Sequence, residues 1–184
     1  MNTGVVSKRF AKALLLYAFE EGVEDKVYEE MKILARSYYE VPKLRKAVDN
    51  PVLEKDKKLA LLRAAAGGKG VSNALMRFFQ LVLDGKRENF LQFIVWSFID
   101  QYRRKKNIRV GKLTTAVESP KLVAKLEKLV GKDTGATVEL ITRVDPSIIG
   151  GFIIEIDGYR MNASVFNQLE RLKDEFIARN RRIV

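Results

Sequence analysis

The first 106 residues carry apolar positions three and four residues apart, which is the period of amphipathic α-helices. Helix-breaking pairs such as Asn50-Pro51 and Gly67-Gly68 divide this pattern into separate segments. Six helices are predicted, over residues 6–18, 27–38, 44–48, 57–66, 72–84 and 88–105. No segment in this part alternates apolar and polar residues with the period of a strand. The pattern therefore predicts a compact bundle of six short helices.

The period changes after the basic run Arg103–Lys106, which is the predicted junction between two parts of the chain. The second part is predicted to form strand, helix, strand, hairpin and helix in that order, which is typical of a small α/β layer. The predicted fold class is α+β. An all-α six-helix bundle is expected over 1–106, followed by a small α/β C-terminal domain over 107–184.

Glycines mark two special points in the predicted strands. In the first strand Val110 and Leu113 lie on opposite parities, which predicts a bulge near Gly111. The pair Gly150-Gly151 stands at the entry to a later strand, where glycine indicates a bulge or a close approach of two backbone segments.

A β-hairpin is predicted around Asp157-Gly158, because this dipeptide accepts the positive φ angles of a two-residue turn. Such a short loop fixes the register of the two strands. Three facing pairs are apolar and share one side of the hairpin: Ile156 with Tyr159, Ile154 with Met161, and Phe152 with Ala163. On the other side Glu155 faces Arg160, a pair of opposite charges. A helix is predicted to follow, with Asn162 or Ser164 as its cap. Its C-terminal end carries three cations: Arg179, Arg181 and Arg182.

The predicted sixth helix has more apolar residues than a single stripe can use. These residues share one short segment: Phe90, Leu91, Phe93, Ile94, Val95, Trp96, Phe98 and Ile99. A helix that is apolar nearly all round either lies at the centre of its bundle or gives part of its surface to a partner. Both interpretations stay open on the sequence alone.

The composition argues against catalysis. The chain of 184 residues has no Cys and no His, which removes thiol chemistry, the usual general base and the usual metal ligand. The segment Gly67–Ser72 lacks the spacing of a phosphate-binding loop, so no cofactor is expected. The N-terminus has no apolar signal-peptide core, and no apolar run approaches the roughly 20 residues that span a bilayer. A soluble, cytosolic chain is expected.

The formal net charge of +11 favours an acidic partner, a membrane surface or nucleic acid. A basic nucleic-acid-binding protein is therefore the alternative hypothesis. The aromatic residues of this chain, however, lie on apolar stripes. They are not interleaved with Lys and Arg on one exposed face, which counts against nucleic-acid binding.

Four segments along the chain, in this order, carry a family likeness. They are Arg9–Leu14 with Tyr17-Ala18, Asn50-Pro51-Val52, Leu113–Ala116, and Ile148–Phe152 with Ser164-Val165. The sequence resembles the delta subunit of bacterial F-type ATP synthase, a relative of the mitochondrial oligomycin-sensitivity-conferring protein. The likeness covers nearly the whole chain. Two positions depart from the family pattern: Asn162 stands where an Asp is usual, and Phe166 is bulky where a small or polar residue is common.

The resemblance implies a fold of six helices followed by a small α/β domain, and a protein that is not an enzyme. Members of the family form part of the stator, which joins the catalytic head to the peripheral stalk while the rotor turns. The implied partners are the alpha and beta subunits of the head and a b-type stalk subunit. No direct nucleic acid and no small-molecule substrate are implied. The implied location is the cytoplasmic face of the inner membrane, reached only through the complex.

By the same resemblance, the first and fifth family helices form a groove for the amphipathic N-terminal helix of an alpha subunit. We assign these helices to 6–18 and 88–102, taking the predicted sixth helix as the fifth of the family. The expected groove residues come from both helices: Phe10, Ala13, Leu14, Tyr17, Ala18, Phe90, Phe93 and Ile94. The C-terminal domain is expected to meet the end of the b-type stalk subunit.

Overall fold

The computed structural model describes residues 3–180. These residues form eight α-helices and one four-stranded mixed sheet, so the fold is mostly helical and of the α+β class. The chain divides into two compact units, with the division between Lys105 and Lys106.

The first unit consists of six α-helices, as the apolar pattern predicts. Their bounds are α1 Thr3–Glu20, α2 Glu24–Glu40, α3 Pro42–Asp49, α4 Lys55–Ala65, α5 Asn73–Asp84 and α6 Leu91–Lys105. Short 3-10 turns over Gly68–Gly70 and Glu88–Phe90 precede α5 and α6. The helices begin where local chemistry favours it: Pro42 opens α3, and the Ser72 hydroxyl caps α5 by accepting a hydrogen bond from the Leu75 N–H at 3.3 Å.

Helix α6 lies at the centre of this unit, packed against both α1 and α2. Six of its residues are buried: Leu91, Ile94, Val95, Phe98, Ile99 and Tyr102. The Tyr102 ring stacks on Tyr28 of α2 with 4.1 Å between ring centroids, and its hydroxyl donates a hydrogen bond to Asp25 at 2.5 Å. Central packing therefore accounts for most of the apolar excess of this helix.

The second unit is a sheet with strand order β2-β1-β3-β4. Its elements are β1 Ile108–Thr115, α7 Pro120–Thr134, β2 Thr137–Val144, β3 Gly151–Ile156, β4 Tyr159–Ser164 and α8 Val165–Asn180. Strand β1 runs parallel to β2, as the βαβ crossover through α7 requires. It pairs antiparallel with β3 on its other side. A small core forms under α7, centred on Leu113, Leu126 and Ile154. The predicted cations Arg181 and Arg182 lie outside the described residues.

The predicted hairpin is confirmed in its turn and its register. Every facing pair is the expected one: Phe152 with Ala163, Ile154 with Met161, Glu155 with Arg160, and Ile156 with Tyr159. The Arg160 guanidinium lies 3.2 Å from the Glu155 carboxylate. At the strand entry Gly151 has φ +75°, and a Cβ there would lie 2.2 Å from the Ala163 carbonyl oxygen. The predicted close backbone approach is therefore present.

The predicted bulge near Gly111 is wrong. Strand β1 keeps an unbroken register with β2 from Ile108 to Thr115. Gly111 lies on the same face as buried Leu113, where a Cβ would come within 2.4 Å of Ile156 Cγ1. The apolar positions change parity along β1 because the other face of this strand also carries half-buried apolar side chains. Gly111 itself occupies a point that is too crowded for any side chain.

Both residues predicted to cap the last helix take part in its start. The Ser164 hydroxyl accepts a hydrogen bond from the Asn167 N–H at 3.2 Å, so Ser164 is the cap. The Asn162 side-chain oxygen accepts from the Ser164 N–H and hydroxyl at 3.1 and 2.7 Å. A neutral amide is therefore sufficient to order this turn.

Candidate docking surfaces

An elongated apolar cavity of about 760 Å³ lies between α1 and α5. Seven lining residues come from α1: Arg9, Phe10, Lys12, Ala13, Leu14, Leu16 and Tyr17. Four come from α5: Ala74, Arg77, Phe78 and Leu81. We call this surface the α1–α5 groove.

The floor of the α1–α5 groove is made of packed apolar side chains. Leu14 and Phe78 are buried, at 2% and 7% exposure, and the Phe10 ring meets Phe78 edge-on with 6.5 Å between centroids. Two apolar side chains project at the lips, Leu16 at 47% and Leu81 at 56% exposure. Large apolar side chains kept in water beside a concave floor are typical of a surface that binds another chain.

The rim of the α1–α5 groove is positively charged. Arg9 and Lys12 on α1 and Arg77 on α5 line it, and no acidic residue of the described range 3–180 does. Arg77 donates a hydrogen bond to the Tyr17 hydroxyl at 3.0 Å, which joins the two helices across the groove. Within residues 3–180 none of these three cations forms an ion pair.

Half of the expected groove residues line this cavity. Phe10, Ala13, Leu14 and Tyr17 do so. The other four do not: Ala18 and Ile94 are completely buried, Phe90 is half-buried, and Phe93 is exposed elsewhere on the unit.

The wall of this cavity opposite α1 is α5, whereas α6 was expected from the sequence. Helices α1 and α6 pack directly against each other. Four lining residues were not predicted: Ala74, Arg77, Phe78 and Leu81. A signal existed, because Phe78 and Leu81 widen the apolar side of α5 beyond the stripe that Leu75, Phe79 and Val82 bury.

A second apolar surface lies on α8 in the other unit. Six residues form a stripe along it, each between 37% and 65% exposed: Val165, Phe166, Leu169, Leu172, Phe176 and Ile177. Four of them, Val165, Leu169, Leu172 and Phe176, alternate by four and three residues, which is the spacing of a helix that pairs with another helix. We call this surface the α8 stripe. All six of its side chains are partly exposed to solvent.

No group of three or more acidic side chains in residues 3–180 is placed to hold a metal ion. Within the same range, every helix is too short or too polar to cross a membrane.

Comparison with known proteins identifies relatives along the whole chain. A family sequence profile described as the ATP synthase delta (OSCP) subunit matches residues 6–176. The chain is 54% identical to ATP synthase subunit delta of Phocaeicola vulgatus over 185 residues, covering all of both chains. It is 47% identical to the subunit of the same name from Bacteroides thetaiotaomicron, again over the full length of both.

The fold is also similar to a solved structure. A chain in the cryo-EM structure of the Toxoplasma gondii mitochondrial ATP synthase hexamer matches with a TM-score of 0.60 at 20% identity. The match covers 93% of this chain and 97% of that one.

Proposed function

The chain belongs to the ATP synthase delta (OSCP) subunit family, and on this premise we propose that it joins the catalytic head to the peripheral stalk through two separate docking surfaces. The chain is a non-catalytic stator subunit of an F-type ATP synthase. The nucleic-acid-binding alternative has no support among these relatives. The membrane is reached through the complex, and we place the chain at the cytoplasmic face of the inner membrane.

The α1–α5 groove is the proposed site for the head. The observation that carries this proposal is the concave apolar floor of Phe10, Leu14 and Phe78 between two exposed apolar lips. An amphipathic helix that lays its apolar face into such a groove buries both surfaces at once. The N-terminal helix of an alpha subunit is the proposed occupant. Contact with the beta subunits would follow from seating on the same head.

The α8 stripe is the proposed site for the stalk. Six large apolar side chains on one face of a helix are unfavourable in water. Because each is 37–65% exposed, covering it would recover only part of the roughly 1.5–3 kcal/mol that full burial contributes. The heptad-like spacing of Leu169, Leu172 and Phe176 fits a helical partner rather than a sheet or a small molecule. The C-terminal end of a b-type stalk subunit is the proposed occupant.

Filling the α1–α5 groove tests the first assignment. Ala13 is an exposed alanine that lines the cavity, so Ala13→Trp places an indole in the groove without disturbing the core. We expect full-length Ala13→Trp to bind an alpha-subunit N-terminal peptide at least about 100-fold more weakly than the unmodified chain, measured by titration calorimetry.

Ala60→Trp is the matched control, because Ala60 is also an exposed helical alanine but lies on α4, away from the cavity. This variant should bind the peptide normally. Equal affinity for all three proteins would reject the groove as the head-binding site.

A further inference from the structure

We infer that the α1–α5 groove selects a short helix that carries acidic residues on both borders of its apolar stripe. This inference rests on the proposed function and adds the chemistry by which the groove would recognise its partner. Three observations carry it: the length of the groove, the position of its cations, and the absence of acidic residues from its lining.

The length of the groove limits the partner to a few turns. Along α1 the lining runs from Arg9 to Tyr17, and along α5 from Ala74 to Leu81. At 1.5 Å per residue these stretches are about 12 and 10 Å long, which matches roughly two turns of an α-helix. Two turns present apolar anchors at positions i, i+3 or i+4, and i+7. Beyond these anchors, contacts with the rim must provide selectivity.

The cations stand on both walls of the groove. Arg9 and Lys12 are three residues apart, so they lie on the same side of α1 and extend along one border of the groove. Arg77 lies on the opposite wall, held towards α1 by its hydrogen bond to the Tyr17 hydroxyl. A docked helix would therefore have a cation along each border of its apolar stripe.

These cations are uncompensated. Elsewhere in the first unit, basic side chains such as Lys55, Lys57 and Lys58 form ion pairs with neighbouring carboxylates. No such pair is made by Arg9, Lys12 or Arg77 within the described residues. Unpaired cations around an apolar site attract a carboxylate-bearing partner, accelerate its association and repel a cationic one. The concave shape favours a helix over an anionic membrane surface, which is flat on this scale.

Association kinetics test this inference. Full-length chain would be mixed with two peptides: the alpha-subunit N-terminal peptide, and a version with the same apolar residues but with every charge inverted. We expect the native peptide to associate at least about tenfold faster at low salt, and expect that advantage to shrink as ionic strength rises to about 0.5 M.

Charge reversal on the groove should invert the preference. The double variant Arg9→Glu/Lys12→Glu is expected to associate about tenfold more slowly with the native peptide and faster with the inverted one. Lys43→Glu/Lys46→Glu is the matched control, since these lysines are exposed on α3 and change the net charge equally. The control should leave the preference unchanged. Circular dichroism would verify the fold, and Arg9→Gln/Lys12→Gln provides a milder second variant.

The possible results separate the inference from the function on which it rests. If both peptides bind with equal rates and no dependence on salt, the groove is a docking site without charge selection, and the inference is wrong. If neither peptide binds the unmodified chain, both the inference and the groove assignment fail. If the control double variant loses the preference as fully as the groove variant does, the effect comes from net charge, and the rim is not the selective element.

Discussion

Glu30 on α2 accepts two hydrogen bonds from Ser72 at the start of α5, one from the backbone N–H and one from the hydroxyl, both at 2.6 Å. Both residues are buried, at 6% and 7% exposure. The Glu30 carboxylate, which belongs to α2, thus accepts hydrogen bonds from the N-terminus of α5. It also lies at the positive end of the α5 dipole. Because α5 is one wall of the α1–α5 groove, this contact helps to fix the geometry of the groove.

Removing the Glu30 carboxylate should destabilise the first unit. We expect Glu30→Ala to lower the free energy of unfolding by about 2 kcal/mol, because a buried charged hydrogen bond is lost and the Ser72 donors are left unpaired. The variant Ser72→Ala should cost about 1 kcal/mol or more through the lost cap. The fluorescence of the only tryptophan, Trp96 on α6, would report unfolding of this unit in urea.

The double variant Glu30→Ala/Ser72→Ala measures the contact itself. Both single changes break the hydrogen bond from the Ser72 hydroxyl, whereas the one from the backbone N–H is lost only when Glu30 is removed. The double variant should therefore be less destabilised than the sum of the two single variants by about 1 kcal/mol. Strict additivity would show that the two residues act independently.

The buried ion pair between Lys58 and Glu88 predicts a specific pH dependence. Lys58 Nζ lies 2.7 Å from Glu88 Oε1, with side chains 5% and 17% exposed. Burial acts to raise the pKa of Glu88. The hydrogen bond from Lys58, a backbone hydrogen bond, and the charges of Lys58 and Lys86 outweigh it, so the pKa of Glu88 lies below its ordinary 4.5.

A depressed carboxylate pKa contributes stability above the unfolded-state pKa, and that stability is lost as the pH falls through the folded-state pKa. At neutral pH we expect Glu88→Gln to lower the free energy of unfolding by about 3 kcal/mol, because Lys58 is left buried without its partner. The difference in the free energy of unfolding between Glu88→Gln and the unmodified chain should become smaller below pH 4.5.

Urea unfolding at several pH values would measure this difference. Glu54→Gln is the control, because the Glu54–Lys57 pair is 73% and 66% exposed and should contribute less than about 1 kcal/mol. A Glu88→Gln difference that stayed constant down to the acid transition would contradict the assignment of the stabilising charge to Glu88.

The crowded position of Gly111 predicts a large effect from a single methyl group. A Cβ there would lie 2.4 Å from Ile156 Cγ1, 2.9 Å from Leu140 Cδ2 and 3.0 Å from the Glu155 carbonyl oxygen. Gly111→Ala should therefore destabilise the second unit by about 2 kcal/mol through overpacking. Hydrogen exchange of the β1 and β3 amides would detect it as faster exchange.

Gly70→Ala is the control for Gly111→Ala, because nothing lies within 4 Å of a Cβ at Gly70 and its φ is not positive. This change should leave exchange in both units nearly unaltered. Unchanged protection of β1 in Gly111→Ala would mean that the sheet can open there without cost.

The structural features that depend on residues close together in the chain were predicted correctly from local sequence patterns. The turn at Asp157-Gly158 determines the register of β3 and β4, because a two-residue loop admits only one pairing. The start of α8 at Ser164 follows from capping chemistry within three residues. The order of six helices followed by a small sheet follows from the change of hydrophobic period near Lys106.

Long-range contacts could not be read from the sequence. The Glu30–Ser72 contact joins residues 42 positions apart, and nothing around Glu30 distinguishes it from a surface glutamate. The expectation of α6 as the second wall of the groove differs from the observed cavity between α1 and α5 for a related reason. The apolar excess on α6 arises because this helix is buried between α1 and α2. The position of the groove depends instead on which side of α1 is left uncovered.

We propose that one chain holds the head and the stalk through different surfaces, and co-sedimentation can show whether it does. Purified catalytic head and a soluble b-type stalk fragment would be mixed with the full-length chain, with Ala13→Trp, or with Leu172→Asp in the α8 stripe. Ala60→Trp on α4 and Asn167→Asp, on the side of α8 away from the α8 stripe, serve as controls.

We predict that the stalk fragment sediments with the head only when the unmodified chain or a control is present. Ala13→Trp should retain the stalk fragment but lose the head, and Leu172→Asp should retain the head but lose the stalk fragment. If both variants still bridge head and stalk, or if each loses both partners while remaining folded, the two-surface account is contradicted.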